Sequence, residues 1–195
     1  MLFSGEWLNG KMEGIGRLST RSGDVYEGYF KANKYHGIGR FTKGNGDKFL
    51  GYSIKGMASG VGILKLFTGE IYRGHFDRNF RHGHGVARYA NGSKYAGQWY
   101  RGVPEGFGMY IAPSGRERYV GEWAGGKKEG KGRNFFSNGD FYDGDFQKNK
   151  ANGKGVYYHI ESGSIFTGDW KDDKRSGMGT YVYLDGSKYT GNDYF

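Results

Sequence analysis

The chain repeats a short pattern in which large apolar residues alternate with glycine or polar residues. One copy is Tyr119-Val120-Gly121-Glu122-Trp123, in which the first, third and fifth residues share one side of an extended chain. Alternation with a period of two is typical of a half-buried β-strand. Because glycine separates the two rings, it leaves a gap that an aromatic ring from a neighbouring strand is expected to fill.

The same pattern recurs from one end of the chain to the other. An aromatic residue opens each copy at a step of 23 residues, which lengthens twice to 24, and glycine always follows two positions later. The opening aromatics are Phe3, Tyr26, Phe49, Tyr72, Tyr95, Tyr119, Tyr142, Phe166 and Tyr189. Residues 1–195 are therefore predicted to form one array, with eight full repeats and a partial ninth that begins at 189.

Each repeat also contains the signals of a turn and of a second strand. A six-residue connection follows the tryptophan or phenylalanine, and its third residue is always glycine, asparagine or aspartate, which tolerate positive φ. A Gly-x-Gly sequence such as Gly130-Lys131-Gly132 then opens the second strand. Each repeat is thus predicted to be a β-hairpin. The predicted fold is all-β, an elongated, twisted single-layer antiparallel sheet of tandem β-hairpins.

The turns between hairpins carry a different signal. Several contain Asn-Gly, as at Asn45-Gly46, and we predict type I′ turns there because this dipeptide accepts positive φ at both central residues. The two extra residues of the array fall in these turns, near 116–118 and 161–163, where a bulge is readily absorbed.

The composition excludes several classes of function. The chain contains no cysteine, so disulfides, thiolate metal sites and cysteine nucleophiles are excluded. No apolar run approaches the ~18 residues of a membrane span and no secretory leader opens the chain, so a cytoplasmic location is expected. There is no Ser-His-Asp arrangement, and His82 and His84 have no third metal ligand nearby in the sequence. We therefore expect neither an enzyme, nor a cofactor, nor a metal site.

Positive charge is concentrated in one part of the chain. The net charge is +9, and residues 26–94 contain twelve Lys and Arg against four Asp and Glu, a net charge of +8. This indicates a basic flank that attracts acidic proteins or anionic lipid, with a merely solvated face as the alternative. Nucleic acid is not expected, because the aromatic residues recur at packing positions. The predicted anion-binding or lipid-binding residues are Arg73, His75, Arg78, Arg81, His82, His84 and Arg88.

The third repeat departs from the pattern. Ser53 occupies the position at which the other full repeats have tryptophan or phenylalanine. The missing ring is open to three interpretations: a weaker repeat, a bend, or a pocket left for a ligand side chain. We take a weaker repeat as the primary interpretation.

The sequence Tyr-x-Gly-x-Trp, followed by a turn and Gly-x-Gly, resembles the MORN (membrane occupation and recognition nexus) repeat over the entire chain. The resemblance implies an elongated single-layer sheet of hairpins that organises or binds other molecules. Partners within the family include anionic phospholipids and protein helices or peptides that lie along a groove, and terminal repeats self-associate. Membership of such a family indicates the fold more closely than the role.

We therefore predict a non-enzymatic scaffold or adaptor that binds a helix or extended peptide of a partner protein and organises a cytoskeletal, ciliary or membrane-associated assembly. The alternatives are a peripheral membrane module that binds anionic phospholipids or phosphoinositides through the basic flank, and a regulatory segment of a larger enzyme. If neighbouring hairpins bury the rings of the predicted groove, the groove must lie on the opposite face. The predicted groove residues are Tyr72, Tyr95, Trp99, Tyr119 and Trp123.

The two ends of the array lack an evident polar cap. The chain begins almost directly on Phe3 and stops within a repeat at Asp193-Tyr194-Phe195. We expect either a fragment or subunit of a larger assembly, or a homodimer formed through the terminal repeats.

Overall fold

The computed structural model describes residues 1–194, and for residues 193 and 194 the backbone only. Seventeen strands form one open antiparallel sheet of consecutive hairpins, and no helix occurs in this range. The predicted all-β sheet of tandem hairpins is confirmed. The strands are β1 Leu2–Leu8, β2 Lys11–Ser19, β3 Val25–Lys31, β4 Lys34–Thr42, β5 Lys48–Ile54, β6 Met57–Lys65, β7 Ile71–Asp77, β8 Phe80–Arg88, β9 Lys94–Tyr100, β10 Val103–Ile111, β11 Arg118–Ala124, β12 Lys127–Phe135, β13 Phe141–Gln147, β14 Lys150–Tyr158, β15 Ile165–Lys171, β16 Lys174–Val182 and β17 Lys188–Tyr194.

The chain divides into two compact units. The first comprises residues 1–91 and 98–103, and the second comprises residues 92–97 and 104–195. That residues 1–195 act as one array stays a prediction. The predicted dimer contact involves the last residues, of which Phe195 and the side chains of residues 193 and 194 lie outside the described part.

A row of directly paired glycines crosses the strands of each unit. In the first unit the row runs from Gly5 in β1 to Gly85 in β8. In the second it runs from Gly108 in β10 to Gly191 in β17. The repeat period therefore keeps successive hairpins of each unit in the same register.

These glycines are required because backbone and rings approach them closely. A Cβ atom on Gly121 would lie 2.5 Å from the Cα of Gly132 and 2.5 Å from the hydroxyl of Tyr119. A Cβ atom on Gly132 would overlap the Tyr119 ring itself, so this ring lies over the glycine of the adjacent strand. The packing of an aromatic ring over glycine is confirmed, but the gap at Gly121 is filled by Tyr119 of the same strand and not, as predicted, by a ring of a neighbouring strand.

The rings pack in series on one face of the sheet, which we call the ring face. Trp123 lies between Tyr95 and Tyr119, with ring centroids 5.1 and 5.3 Å away and an edge-to-face geometry. In the first unit Phe76 is held in the same way by the opening aromatics of its own and the preceding repeat. Each such ring therefore joins its own hairpin to the one before it.

The second and fourth residues of each Tyr-x-Gly-x-Trp pattern point to the other side of the sheet, which we call the open face. On this face Val120 pairs with Met109 on one neighbouring strand and with Arg133 on the other. No second sheet and no helix is present within residues 1–194 to cover it.

The turn inside each hairpin has two residues with positive φ. At Asn9 and Gly10 φ is 49° and 72°, as in a type I′ turn. Positive φ at the third residue after the tryptophan or phenylalanine is confirmed for Gly10 and for its equivalents in the other seven full repeats. The predicted six-residue connection is wrong, because strand pairing continues up to the turn, from Leu8 of β1 to Lys11 of β2.

The turns between hairpins also differ from the prediction. At Asn45-Gly46 only Gly46 has positive φ (96°), so the predicted type I′ geometry is wrong. The N–H of Gly46 donates to the carbonyl of Lys43 (2.9 Å), and the Asn45 side chain accepts a hydrogen bond from the N–H of Asp47 (3.0 Å). The asparagine side chain thus closes a wider turn without a left-handed backbone of its own.

The 24-residue steps each add one residue to a turn between hairpins. The turns at 112–117 and 159–164 have six residues, whereas the others have five. Across the first of them Gly108 still pairs with Gly121, and the register is likewise kept across the second. As predicted, the turns absorb the extra residues.

Each second strand contains a bulge that the sequence analysis did not identify. The first glycine of Gly-x-Gly, for example Gly130, has positive φ (60°), and opposite it the register shifts between Gly121 and Trp123. The bulge frees the N–H of Lys131, which donates to Oε1 of Glu122 at 3.1 Å. The first glycine of the motif therefore forms the bulge, and the second allows the close approach beneath the ring.

Candidate functional site

The five rings predicted to line a groove are buried on the ring face. Tyr72, Tyr95 and Tyr119 are at most 1% exposed, Trp99 is 3% exposed and Trp123 is 8% exposed. Burial raises the pKa of Tyr72 to about 12, and its hydroxyl donates to a backbone carbonyl at 2.9 Å. In this arrangement the rings hold hairpins together and offer no surface to a partner. Because neighbouring hairpins bury the rings, a binding groove is to be sought on the opposite face of the sheet.

Arg81 also lies on the ring face, apart from the other predicted basic residues. Its guanidinium carbon is 5.1 Å from the centroid of the Tyr72 ring and 5.2 Å from that of Trp99. Its Nη2 atom is 2.5 Å from Oε1 of Glu70, and its side chain is only 15% exposed. The prediction that Arg81 and Arg73 belong to one anion-binding cluster is wrong, because strand alternation puts the two arginines on opposite faces of the sheet.

Four of the predicted residues share the open face. Arg73 and His75 alternate with ring-face residues along β7, and His84 and Arg88 do so along β8. All four are exposed, and Nδ1 of His75 lies 3.2 Å from the carbonyl oxygen of His84. The structure thus brings these four residues to one surface.

The remaining two predicted residues are placed differently. Arg78 lies in the hairpin turn, where its Nη2 atom is 3.3 Å from Oδ2 of Asp77. His82 packs against Tyr100, with ring centroids 5.5 Å apart. Within the described residues no group of three His, Cys, Asp or Glu side chains is positioned to hold a metal ion.

A strip of exposed apolar side chains crosses the open face of the first unit. Ile15 pairs with Tyr29 across β2 and β3, and Ile38 pairs with Tyr52 across β4 and β5. The side chains of the strip are 40 to 64% exposed. We call this surface the apolar strip, and it consists of Ile15, Tyr29, Ile38, Tyr52 and Val61.

A second row runs beside the apolar strip and mixes apolar with basic residues. Arg40, Leu50, Ile63, Arg73 and Val86 pair in series from β4 to β8. The three apolar members are 39 to 51% exposed. Together with the strip they expose on the order of 600 Å² of apolar surface, the upper end of the roughly 300–600 Å² typical of the largest patch on a monomer.

Five exposed cations border this apolar surface. Arg40 and Arg73 belong to the second row, and Lys48, Lys65 and Arg88 lie in the row beyond it. In the part of the chain that the structure describes, none of the five forms an ion pair. Their charge is therefore available to an acidic partner.

In the sixth and seventh repeats, within the second unit, the same positions carry paired charges instead. The equivalents of Ile38 in the sixth and seventh repeats are Lys131 and Lys154. The Nζ of Lys131 is 2.5 Å from Oδ1 of Asp145, and the Nζ of Lys154 is 2.7 Å from Oδ1 of Asp169. Although desolvation raises the pKa of Asp145, hydrogen bonds from Lys131 and from the Lys154 backbone outweigh it and leave that pKa below its usual value. These charges satisfy one another.

The sequence analysis missed the apolar strip, although its signal is present in the repeats. The fourth residue of the Tyr-x-Gly-x-Trp pattern shows it. This residue is Tyr29 in the second repeat and Tyr52 in the third, but Glu122 in the sixth and Asp145 in the seventh. Comparison of the repeats with one another at the residues that point to the open face, rather than at those of the ring face, would have indicated this surface.

A sheet of tandem hairpins with a paired glycine row and interlocking rings defines a β-repeat protein. The MORN repeat model matches most of the chain and leaves residues 49–71 unmatched. The protein therefore belongs to the MORN repeat family. The matched residues are 3–25, 26–48, 72–94, 95–115, 119–141, 142–159 and 166–188.

Solved structures of similar fold include domains of proteins named SAS-4 and CPAP, all at low sequence identity. The TCP10 domain of Danio rerio CPAP in complex with a peptide of Danio rerio STIL is 12% identical, with 98% of this chain and 84% of that chain covered and a TM-score of 0.57. The SAS-4 (dCPAP) TCP domain of Drosophila melanogaster in complex with a proline-rich motif of Ana2 is 16% identical, with 80% and 85% covered and a TM-score of 0.50. No curated protein sequence matched the chain. These likenesses concern the fold.

Among the described residues there is no helix long and apolar enough to span a membrane.

Proposed function

We propose that the protein is a non-enzymatic scaffold or adaptor that binds a segment of a partner protein across the open face of its first unit. The apolar strip carries the proposal, because it exposes Tyr29, Ile38 and Tyr52 where the sixth and seventh repeats have ion pairs. An uncovered apolar patch rimmed by charge is typical of an interaction site. The scaffold serves a cytoskeletal or membrane-associated assembly in the cytoplasm.

The length and charge of the surface indicate what the segment is like. Five adjacent strands, β2 to β6, contribute the strip, so at ~4.8 Å per strand it is about 19 Å long. That length corresponds to roughly six residues of extended peptide or to about thirteen residues of helix. Acidic side chains of the segment would meet Arg40 and Arg73, while its apolar side chains cover the strip.

Two solved proteins of similar fold support this proposal by precedent. The SAS-4 TCP domain is described in complex with a proline-rich motif, and the CPAP TCP10 domain in complex with a STIL peptide. In those proteins a sheet of this kind accommodates a short segment of another protein. Exposed tyrosines such as Tyr29 and Tyr52 suit an extended or proline-rich segment, which docks on aromatic side chains.

The proposal is tested by a charge placed in the strip. The Ile38→Asp variant buries a carboxylate in the proposed contact, so partners recovered by affinity purification with the wild-type chain should be lost. The matched control is Met178→Asp, because Met178 holds the same position of the eighth repeat and is similarly exposed, 54% against 64%. Circular dichroism should show that both variants remain folded.

The expected result is loss of partners with Ile38→Asp and their retention with Met178→Asp. Chemical cross-links from the recovered partner should then fall on Lys65, which borders the surface. Equal recovery with both variants, or cross-links confined to lysines of the second unit, would contradict the proposed binding face.

A second candidate function is supported by the five unpaired cations on the same face. Binding of an anionic membrane surface by Arg40, Lys48, Lys65, Arg73 and Arg88 would stabilise the bound state by roughly 1 kcal/mol for each residue near the surface. Apolar side chains such as those of the strip would add contact with the lipid interface.

Co-sedimentation with vesicles separates the two candidates. Phosphoinositide-containing vesicles, but not phosphatidylcholine vesicles, should bind the wild-type chain at low salt and release it as the salt concentration rises. Reversal of Arg73 and Arg88 to Glu should abolish binding, whereas reversal of the exposed Lys127 and Lys171 in the second unit should not. Failure of the wild-type chain to bind acidic vesicles at low salt would exclude the membrane candidate.

A further inference from the structure

The ring face of the first unit contains a pocket at the third repeat. It has a volume of about 420 Å³, within the roughly 300–1,000 Å³ typical of ligand sites. Its walls include Tyr26, Tyr35, Phe41, Phe49 and Phe76. An aromatic wall of this kind in a single-layer sheet requires an explanation, because the other full repeats have a tryptophan or phenylalanine at the position of Ser53.

The pocket lies where the series of rings is interrupted. In the second repeat Phe30 packs edge-to-face with the opening aromatics of two repeats, Phe3 at 5.0 Å and Tyr26 at 5.1 Å. The equivalent residue of the third repeat is Ser53, which stands between Tyr26 and Phe49. Serine provides no ring to bridge Tyr26 and Phe49, so one ring of the series is missing here.

The residue paired with Ser53 is small as well. Ser53 pairs directly with Ala58, whereas Phe76 pairs with Arg81. The side chain that covers a ring of this series comes from the preceding repeat: Arg81 lies over Trp99, and its equivalent Tyr35 stacks on Tyr26 at 4.0 Å and lines the pocket. Ser53 and Ala58 in register therefore leave the space of one aromatic side chain, in the full repeat that the family model leaves unmatched.

A polar group and a positive charge accompany this apolar space. Ser53 is 5% exposed, and its hydroxyl forms no hydrogen bond with any residue that the structure describes. Of the charged residues that line the pocket, Lys43 and Asp47 form an ion pair at 4.0 Å, which leaves Lys48 as the unpaired charge among the described residues. The Asp47 carboxylate is already bound to the N–H of Phe67 at 3.0 Å. The rim therefore favours a negatively charged partner.

We propose that this pocket binds an aromatic side chain of a partner protein, presented within an acidic segment. The inserted ring takes the missing place between Tyr26 and Phe49, with the edge-to-face geometry that the other repeats show. An indole suits the site best: in the sixth repeat the Nε1–H of Trp123 donates to the carbonyl of Gly108, and the equivalent acceptor here is Gly39, with the Ser53 hydroxyl beside it.

This site is separate from the apolar strip, since the two lie on opposite faces of the sheet. The third repeat is fully paired on both sides, from β4 to β7, and a pocket lies at Ser53. That this repeat is also the weaker one stays a prediction. The binding of an aromatic residue there does not depend on whether a segment covers Tyr29 and Ile38.

Short peptide probes test the proposal by calorimetry and by amide chemical shifts. The probes are acetylated, amidated Glu-Glu-Trp-Glu-Glu, the same peptide with Ala for Trp, Lys-Lys-Trp-Lys-Lys, and free indole. The acidic tryptophan peptide should bind the wild-type chain at least ten-fold more tightly than the other three. The shifts should centre on the amides of Ser53 and Ala58.

Variants at the pocket distinguish insertion from surface adsorption. Ser53→Trp supplies the missing ring from within the chain and should weaken the acidic tryptophan peptide at least ten-fold while raising the Tm. Ser53→Phe makes the same test with the ring used in the second and fourth repeats, in case tryptophan is not accommodated. Ser53→Ala keeps the pocket open and should retain binding, as should Ile38→Asp on the other face.

Each alternative outcome overturns a stated part of the proposal. Undiminished binding to both Ser53→Trp and Ser53→Phe would show that the peptide does not enter the pocket. Free indole as strong as the acidic peptide would mean a small-molecule site rather than one for a protein segment. Loss of binding with Ile38→Asp alone would assign the peptide to the apolar strip, leaving the proposed function intact and the pocket refuted.

Discussion

Truncation of Trp123 is expected to show how strongly the interlocked rings stabilise the fold. The ring is 8% exposed and packs between Tyr95 and Tyr119 at 5.1 and 5.3 Å, and its Nε1–H donates to the carbonyl of Gly108 at 3.1 Å. Trp123→Ala removes all of these contacts. It is therefore a test of the joint between two repeats rather than of one hairpin.

The magnitude follows from the buried area. A tryptophan buried to this extent removes about 200 Å² from water, which at ~25 cal/mol per Å² is about 5 kcal/mol. Two edge-to-face pairs contribute about 1 kcal/mol each, and relaxation of the cavity returns part of the total. We expect Trp123→Ala to lower the free energy of unfolding by about 4–5 kcal/mol.

Trp7 is the matched control, since it holds the same position of the first repeat. It is 60% exposed and packs against one opening aromatic, Phe3, at 5.1 Å. With less than half of its area buried, Trp7→Ala should cost about 2 kcal/mol. Urea denaturation followed by far-UV circular dichroism measures both, and it does not rely on tryptophan fluorescence, which the substitutions change.

The comparison between the two variants tests whether contacts between repeats stabilise the fold. A difference of about 3 kcal/mol between Trp123→Ala and Trp7→Ala would support stabilisation through the joint between repeats. Equal losses would refute it, because the two residues share their hairpin position and differ in the contacts that the preceding repeat supplies to Trp123, the Tyr95 ring and the Gly108 carbonyl.

Two further predictions concern the glycine row and alkaline pH. Gly132→Ala forces a Cβ into the Tyr119 ring and should lower the Tm markedly, at a cost of about 3 kcal/mol. The control Gly115→Ala, at a glycine with φ of 74° but no atom within 4 Å of the added Cβ, should cost only about 1 kcal/mol. Equal Tm losses would contradict the packing role of Gly132. Burial raises the pKa of Tyr72 from 10.0 to about 12, so its contribution is complete below pH ~10 and is lost as the pH rises to about 12. Tyr72→Phe should therefore flatten the decline of stability in that window, measured by urea denaturation at stepped pH, and an unchanged slope would contradict the assignment.

The fold could be predicted because its determinants are local and repeated. Positive φ at Asn33 or Gly56 follows from residue type alone, and the spacing of Tyr119 and Gly121 fixes which side chains share a face. Errors arose where a side chain replaces a backbone feature. At Asn45 the carboxamide closes the turn, so the Asn-Gly signal was present without the backbone geometry it usually accompanies.

The candidate site could be predicted only in part, because net charge does not specify a face. Arg81 was grouped with Arg73 by proximity in sequence, but alternation puts Arg81 over the rings of Tyr72 and Trp99. The rings were assigned to a groove because aromatic side chains are typical of binding surfaces. Their burial depends on the adjacent repeat, which is a tertiary contact that a single-repeat pattern does not contain.

The six-residue turns at 112–117 and 159–164 have a practical consequence for labelling and for length variation. Both lengthen a loop between hairpins, while the two-residue turns within the hairpins keep a fixed length throughout the eight full repeats. Loop edges of this kind can accept a fluorophore, an epitope or a linker, since the glycine pairing across them is already maintained with one residue more than usual. The opposite edge, where Asn9 and Gly10 both require positive φ, has no such tolerance. A label inserted at 112–117 should therefore allow the protein to be followed in cells without disturbing either face of the sheet.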